Sequence, residues 1–132
     1  MITKIISSAF RAIPRQTERL VIRKASAVEL KKCAGNEVTV FPGVYATSID
    51  TELMIDTVVI QPDETFLEIG CGTGVITVLT AKKAKSGVGV DINRHAIENS
   101  RENARRFYVT NVDFFQSDVF ENVHAVFDVI IF

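Results

Sequence analysis

The chemistry legible first in this chain sits in nine residues, Phe66-Leu-Glu-Ile-Gly-Cys-Gly-Thr-Gly74. Glu68 lies inside an apolar run, and Gly70, Gly72 and Gly74 follow at alternate positions. Glycine so placed permits unusual backbone angles and lets a ligand approach the main chain closely. Asp91 stands 21 residues after Gly70, at the end of the next apolar run. A carboxylate there can accept both hydroxyls of an adenosine ribose. The spacing also separates two ligand classes. Dinucleotide sites use Gly-x-Gly-x-x-Gly and turn a helix N-terminus toward a pyrophosphate. Here the pattern is Gly-x-Gly-x-Gly, with an acidic residue two places earlier. Glu68 would repel a phosphate but suits a ligand that carries an ammonium and a sulfonium. A nicotinamide-dependent oxidoreductase is disfavoured on this ground.

Such a turn works only with a strand before it and a helix after it. Pro62-Asp63 is a turn, and Thr65–Ile69 reads as a short apolar strand. Val75–Lys85 has helical composition and is broken by Ser86-Gly87. Val88–Ile92 is the next strand, and Asn93 can cap a helix over Arg94–Phe107. Val112–Phe115 and Val126–Phe132 supply third and fourth strands. Runs apolar on both faces and separated by helices predict a parallel sheet covered by helices. Right-handed crossovers then give an α/β, Rossmann-like doubly wound fold.

Upstream the pattern is more varied. Ile2, Ile5, Ile6, Ala9, Phe10 and Ile13 recur at helical spacing, which predicts an amphipathic helix ended by Pro14. Arg19–Arg23 could form a short strand. Ser26-Ala-Val-Glu29 has the form of a capping box, opening a helix that would stop at Gly35. Val38 and Val40 alternate with polar residues, which suggests a strand before Pro42-Gly43. Asp50 is placed to cap a helix carrying Leu53, Met54, Thr57 and Val58.

The chain has 132 residues, a size for one domain, and 47% hydrophobic with 23% charged residues excludes disorder for the bulk. No apolar run reaches the ~20 residues of a membrane-spanning helix. Lys4 and Arg11 interrupt the opening apolar pattern, which argues against a secretory signal. Cys33 and Cys71 make no disulfide framework, so reduced thiols and a cytoplasmic setting are expected. The net charge of −1 conceals an asymmetry: residues 1–36 carry eight basic against two acidic groups, whereas residues 37–132 carry seven against 14. The expected organisation is a basic helical extension over 1–36 and a cofactor-binding domain over 37–132. A cationic arm can steer toward RNA or an acidic protein surface, although a solvated basic helix face explains it as well.

The segment from Glu68 to Gly74 resembles motif I of class I S-adenosylmethionine-dependent methyltransferases, acidic-x-Gly-x-Gly-x-Gly. The resemblance extends to Asp91, with Ile92 beside it, as the ribose-binding acid. It reaches Gln116-Ser-Asp118-Val119, similar to the loop in which an acidic residue meets the adenine amino group. Phe127–Phe132 matches the fourth strand. Upstream, Val44-Tyr-Ala-Thr-Ser-Ile-Asp-Thr-Glu-Leu53 resembles a segment of the release-factor glutamine methyltransferases and their small-domain relatives, with Thr47 in place of a proline. The resemblance implies S-adenosylmethionine as cofactor. It also implies cofactor contacts at Thr51, Glu68, Gly70, Cys71, Gly72, Gly74, Asp91, Ile92, Asp118 and Val119. For Thr51 a first-turn helix role stands beside the cofactor role, and for Asp118 a simple turn role.

In that family Asn-Pro-Pro-Tyr follows the fourth strand and holds the nitrogen that receives the methyl group, in a protein glutamine or a nucleic-acid base. This sequence stops at Phe132, where the motif would begin, and contains no Asn-Pro-Pro. The expectation is a cofactor-binding half with four of seven strands and no catalytic residues; the alternative is a non-catalytic binding or assembly module. An open edge at Val129–Ile131 would then favour a homo-oligomer. Cys71 is expected as a small loop side chain rather than a nucleophile, and His95 and His124 are too isolated for a metal site. Arg101, Arg105 and Arg106 are expected on a solvated helix face with Glu98 and Glu102.

Overall fold

The computed structural model describes residues 24–132 together with the backbone of residues 4–6. The strand expected at 19–23 and most of the opening helix fall outside the described residues. Four parallel strands form the centre: β4 (Thr65–Ile69), β5 (Ser86–Asp91), β6 (Val112–Gln116) and β7 (Val129–Ile131). The chain runs outward from β4 through β5 to β6, then returns to lay β7 on the other flank of β4. This reversal opens a crevice at the carboxyl end of β4, where open parallel sheets bind ligands. Register places Glu68 beside Gly89 and Ile131, and Asp91 beside Gln116. The α/β Rossmann-like expectation therefore holds.

Between the strands lie α2 (Val75–Ala81) and α3 (Arg94–Arg106). Asn93 caps α3 as expected, its side chain accepting the His95 amide at 3.0 Å. Helix α2 ends before Ser86 and Gly87, and these two residues also begin β5, which was expected only from Val88. The reason is steric. A Cβ on Gly87 would sit 2.1 Å from the wholly buried Phe66 ring, and one on Gly89 would sit 2.6 Å from Phe114. The aromatic rings occupy the space that side chains of β5 would need.

Three expectations upstream are corrected. The helix over 26–35 is instead a hairpin of β2 (Glu29–Cys33) and β3 (Asn36–Val40). Ala34 and Gly35 connect it with φ of 47° and 74°, the signature of a two-residue turn matched to strand twist. Burial of Cys33 and Val38 against Val75 holds this alternative, and the strands straddle the 36/37 boundary expected between extension and domain. Next, the helix α1 (Ile49–Thr57) is capped at Ser48 rather than Asp50. Finally, residues 4–6 form a strand, β1 (Lys4–Ile6), parallel to β7 with Ile5 beside Ile130. The opening helix is overturned there. The β7 edge is occupied by the chain's own backbone, which removes the open edge on which the homo-oligomer rested.

Gly87→Ala should lower stability by about 1–3 kcal/mol, the range for overpacking a dense core. Urea unfolding checks this, and an unchanged midpoint would contradict the ring-over-glycine packing.

Candidate functional site

At the carboxyl end of β4 the chain leaves the sheet through Gly70, Gly72 and Gly74, with φ of 76°, 53° and 74°. The amides of Gly70 and Cys71 donate to the Val90 carbonyl at 2.8 and 3.0 Å, pinning the turn to β5. Asp91 completes that attachment. Its Oδ2 accepts from the Gly72 amide and its Oδ1 from the Asn93 amide, both at 2.9 Å. A Cβ at Gly70 or Gly72 would meet nothing within 4 Å, so the loop faces open space. Gly74 differs: a Cβ there would stand 2.6 Å from Ser100 Cβ and 2.8 Å from its Cα. Gly74 thus serves close approach of α2 to α3 and does not line the ligand space.

The open space is a cavity of about 430 Å³ between this loop and the segment entering α1. That volume lies within the range of small-molecule sites. Thr51, Glu68, Gly70, Cys71 and Gly72 line it together, with Tyr45 on the opposite side. Thr51 has a structural task too, since its Oγ1 accepts from the Ser48 amide at 3.1 Å. A second cavity of about 290 Å³, between Ala34, Ile55 and Lys83, contains none of the motif residues.

Glu68 is buried, and the Thr77 hydroxyl donates to its Oε2. Burial pushes its carboxyl up to about 8; the Thr77 hydrogen bonds pull the other way, and the Asp91 charge adds a smaller upward push. The same burial pushes the Cys71 thiol up, with Glu68 adding to the effect. A neutral thiol 3.4 Å from Ser100 Oγ is no nucleophile, in line with the loop role expected for it.

The remaining predicted residues lie at the neighbouring strand ends. Asp91 is half-buried and Ile92 is 63% exposed. Asp118 and Val119 are exposed on the loop after β6, and Val119 has a φ of 47°. That loop is tied to β5, because the Ser117 amide donates to the Asp91 carbonyl at 3.1 Å and Gln116 Nε2 to the Ile92 carbonyl at 2.8 Å. One end of the sheet therefore presents a cavity floored by Glu68, with Asp91, Ile92 and the Asp118 loop alongside. These residues fit a ligand cationic at one end and hydroxylated at the other. The Glu68 carboxyl, held neutral by burial, can become the anion partner of a cation by giving up its proton, and the Asp91 oxygens retain lone pairs beyond their two amides.

Three residues went unseen in the sequence: Asn99, Ser100 and Asn103, all 0% exposed on α3. Ser100 Oγ donates to the Gly72 carbonyl at 3.0 Å, and Asn103 Nδ2 donates to the Thr73 carbonyl at 2.8 Å. Their signal was positional. They share helical spacing with Ala96, Ile97 and Ala104 and therefore belong to the inward face. The outward face carries Arg94–Glu98 and Arg105–Glu102 ion pairs, although Arg101 turns to the Phe114 carbonyl.

The raised Glu68 carboxyl sets a pH dependence. Between the ordinary value of 4.5 and about 8 the ligand-free fold keeps a proton that the unfolded chain has released. Stability must therefore fall as pH rises through that window. Thermal melts from pH 5 to 9 should show this slope in the wild type and a flatter one in Glu68→Gln. Equal slopes would remove the buried carboxyl as the cause.

Comparison with known proteins places this geometry. A family model described as a methyltransferase domain matches residues 60–132. A protein of Methanocaldococcus jannaschii, named for protein N5-glutamine methyltransferase activity, is 46% identical over 99 residues. That match covers 74% of this chain and 50% of the relative, so the chain spans about half the relative's length. The crystal structure of Trm5b from Pyrococcus abyssi superposes with a TM-score of 0.68 and 26% identity, over 79% of this chain and 32% of that one. An RNA methyltransferase from Salinibacter ruber, solved with S-adenosyl-L-homocysteine, superposes with a TM-score of 0.55 and 25% identity, over 64% of this chain and 57% of that one. With the family model covering more than half of the residues, on the sheet order and glycine loop described above, the chain belongs to the class I methyltransferase-domain family.

Proposed function

We propose that this chain binds S-adenosylmethionine and supplies the cofactor-binding part of an N-methyltransferase acting on a protein glutamine or a nucleic-acid base. The observation that carries the reading is the buried Glu68 carboxyl on the floor of a cavity walled by the Gly70–Thr73 stretch of the glycine loop. Bound S-adenosylmethionine supplies an electrophilic methyl group on a sulfonium. The chain's residues bind and orient around it. Glu68, relieved of its proton, would face the ammonium of the methionine end, with Thr77 steadying the carboxylate. Asp91 would accept from the ribose hydroxyls while its two amide bonds hold it still. Asp118 and Val119 would meet the adenine, Ile92 would cover its face, and Thr51 would close the cavity from α1.

The relatives' names support this acceptor class, a protein glutamine for the methanogen protein and RNA for the Salinibacter ruber enzyme. The proposed organisation is a basic leading segment followed by this cofactor-binding domain. Free, buried Cys33 and Cys71 support a reducing, cytoplasmic setting. Among the described residues no helix is long and apolar enough to cross a membrane. A homo-oligomer is not part of the proposal, because β1 covers the edge that would have formed it.

Calorimetric titration with S-adenosylhomocysteine should give a micromolar Kd, roughly −8 kcal/mol. Asp91→Ala should weaken it at least about tenfold, or ~1.4 kcal/mol, with the fold checked by circular dichroism. NADH should not bind. A folded wild-type chain that ignores S-adenosylhomocysteine would overturn the reading.

A further inference from the structure

The cofactor cavity has two walls that are distant in sequence. One is the Gly70–Thr73 stretch of the glycine loop; the other is Tyr45–Thr51, which follows the β2–β3 hairpin through Phe41–Val44. The loop itself and the segment that leads into the other wall are both fastened to α3 and its cap. On the hairpin side, Asn99 Nδ2 donates to the Thr39 carbonyl at 2.8 Å, and Asn99 Oδ1 accepts from the Phe41 amide at 2.7 Å. Asn93, at the head of the helix, donates to the Gly43 carbonyl at 3.1 Å. On the loop side, Ser100 holds the Gly72 carbonyl.

Asn103 alone in this set holds both sides. Its Nδ2 donates to the Thr39 and Thr73 carbonyls, each at 2.8 Å, and its Oδ1 accepts from the Thr39 amide at 2.9 Å. Three of the four hydrogen bonds open to an amide side chain are thereby made, all out of water. Asn103 itself does not line the cavity; among the lining residues it reaches only Thr73, through its backbone. A residue with this pattern acts on the ligand only by fixing where the loop backbone stands.

We infer that Asn103 and Ser100 are positioning residues of the cofactor site: they hold the Gly72 and Thr73 carbonyls in place, and Asn103 ties that loop to the hairpin behind the opposite wall. The inference rests on the reading that this cavity takes S-adenosylmethionine. A glycine-rich turn is cheap to deform, and ordering it on binding would draw on cofactor affinity. The helix performs that ordering in advance.

The test is the affinity for S-adenosylhomocysteine of wild type, Asn103→Ala, Ser100→Ala and Asn111→Ala, measured well below each melting temperature. Asn111 is the stability control. Its Nδ2 holds the Ala81 carbonyl at 2.9 Å at the end of α2, away from the cavity. Asn103→Ala should weaken binding at least about tenfold and Ser100→Ala about threefold or more. Asn111→Ala should melt earlier than wild type yet bind within twofold of it. If Asn103→Ala does not fold, Ser100→Ala decides, since it removes the contacts to Gly72 and Cys71 in the loop and leaves the hairpin untouched. Wild-type affinity in every folded Asn103 or Ser100 variant overturns the inference, as does a parallel loss in Asn111→Ala. Absence of binding by the wild type overturns instead the assignment of the cofactor.

Discussion

The structure turns on backbone that cannot join a ladder. Between Ile69 and Val75 the chain carries three left-handed glycines in five residues, so its amides and carbonyls find no strand or helix partner in sequence order. Buried main-chain groups left unpaired are costly, and each must be met from elsewhere. β5 meets two amides through the Val90 carbonyl and a third through the Asp91 side chain. α3 meets the Gly72 and Thr73 carbonyls through Ser100 and Asn103. The first turn of α2 meets the Gly74 carbonyl through the Val78 amide at 2.8 Å. The end of β5, the acid it carries and the inward face of α3 all supply partners to this one loop.

Glu68 is the electrostatic counterpart. A carboxyl on a central strand is disfavoured in its charged form, and here burial outweighs the stabilising Thr77 hydroxyl. A core chosen for stability alone would place an apolar residue at that position. The carboxyl is useful only if a cation can displace its proton, and the cavity above it provides the access. The same logic explains why a pyrophosphate ligand fits poorly. A phosphate would meet a residue that must then stay protonated, at the point where a dinucleotide fold presents only amides. In the proposed reading, the acid that makes the fold less stable as pH rises is also the group that would discriminate between ligand classes.

Much of this was legible in the sequence from residue 65 onward. The strands there are apolar on both faces, a pattern only a covered parallel sheet explains, and the glycine spacing is local to nine residues. The N-terminal third was misread where two patterns coincide. Ser26-Ala-Val-Glu29 satisfies a capping box on paper, yet Ala34 with Gly35 closes a hairpin. What decides between them is burial of Cys33 and Val38 against Val75, a contact some 40 residues away that no local window contains. The pairing of Lys4–Ile6 with β7 was equally remote. The start of β5 at Ser86 was hidden for a related reason, since glycine reads only as a breaker until a phenylalanine on the adjacent strand is known to cover it.

The inward face of α3 shows why polar positions in a helix deserve a second reading. Asparagine is an unfavourable helix-interior residue, by roughly 0.7 kcal/mol each against alanine, because its side chain competes for nearby backbone. Leucine at 99 and 103 would form a better helix and bury more apolar area. It would also leave the Thr39 carbonyl and amide, the Phe41 amide and the Thr73 carbonyl without partners in a dry interior. Each abandoned group would cost on the order of 1–3 kcal/mol, several times the propensity deficit. An amide side chain is the choice that donates twice and accepts in one plane. A helix can therefore hold a non-repetitive strand end on one side and a glycine loop on the other. The polar character of this face, unfavourable for the helix in isolation, is what lets a fold of this size keep an irregular backbone segment in one conformation.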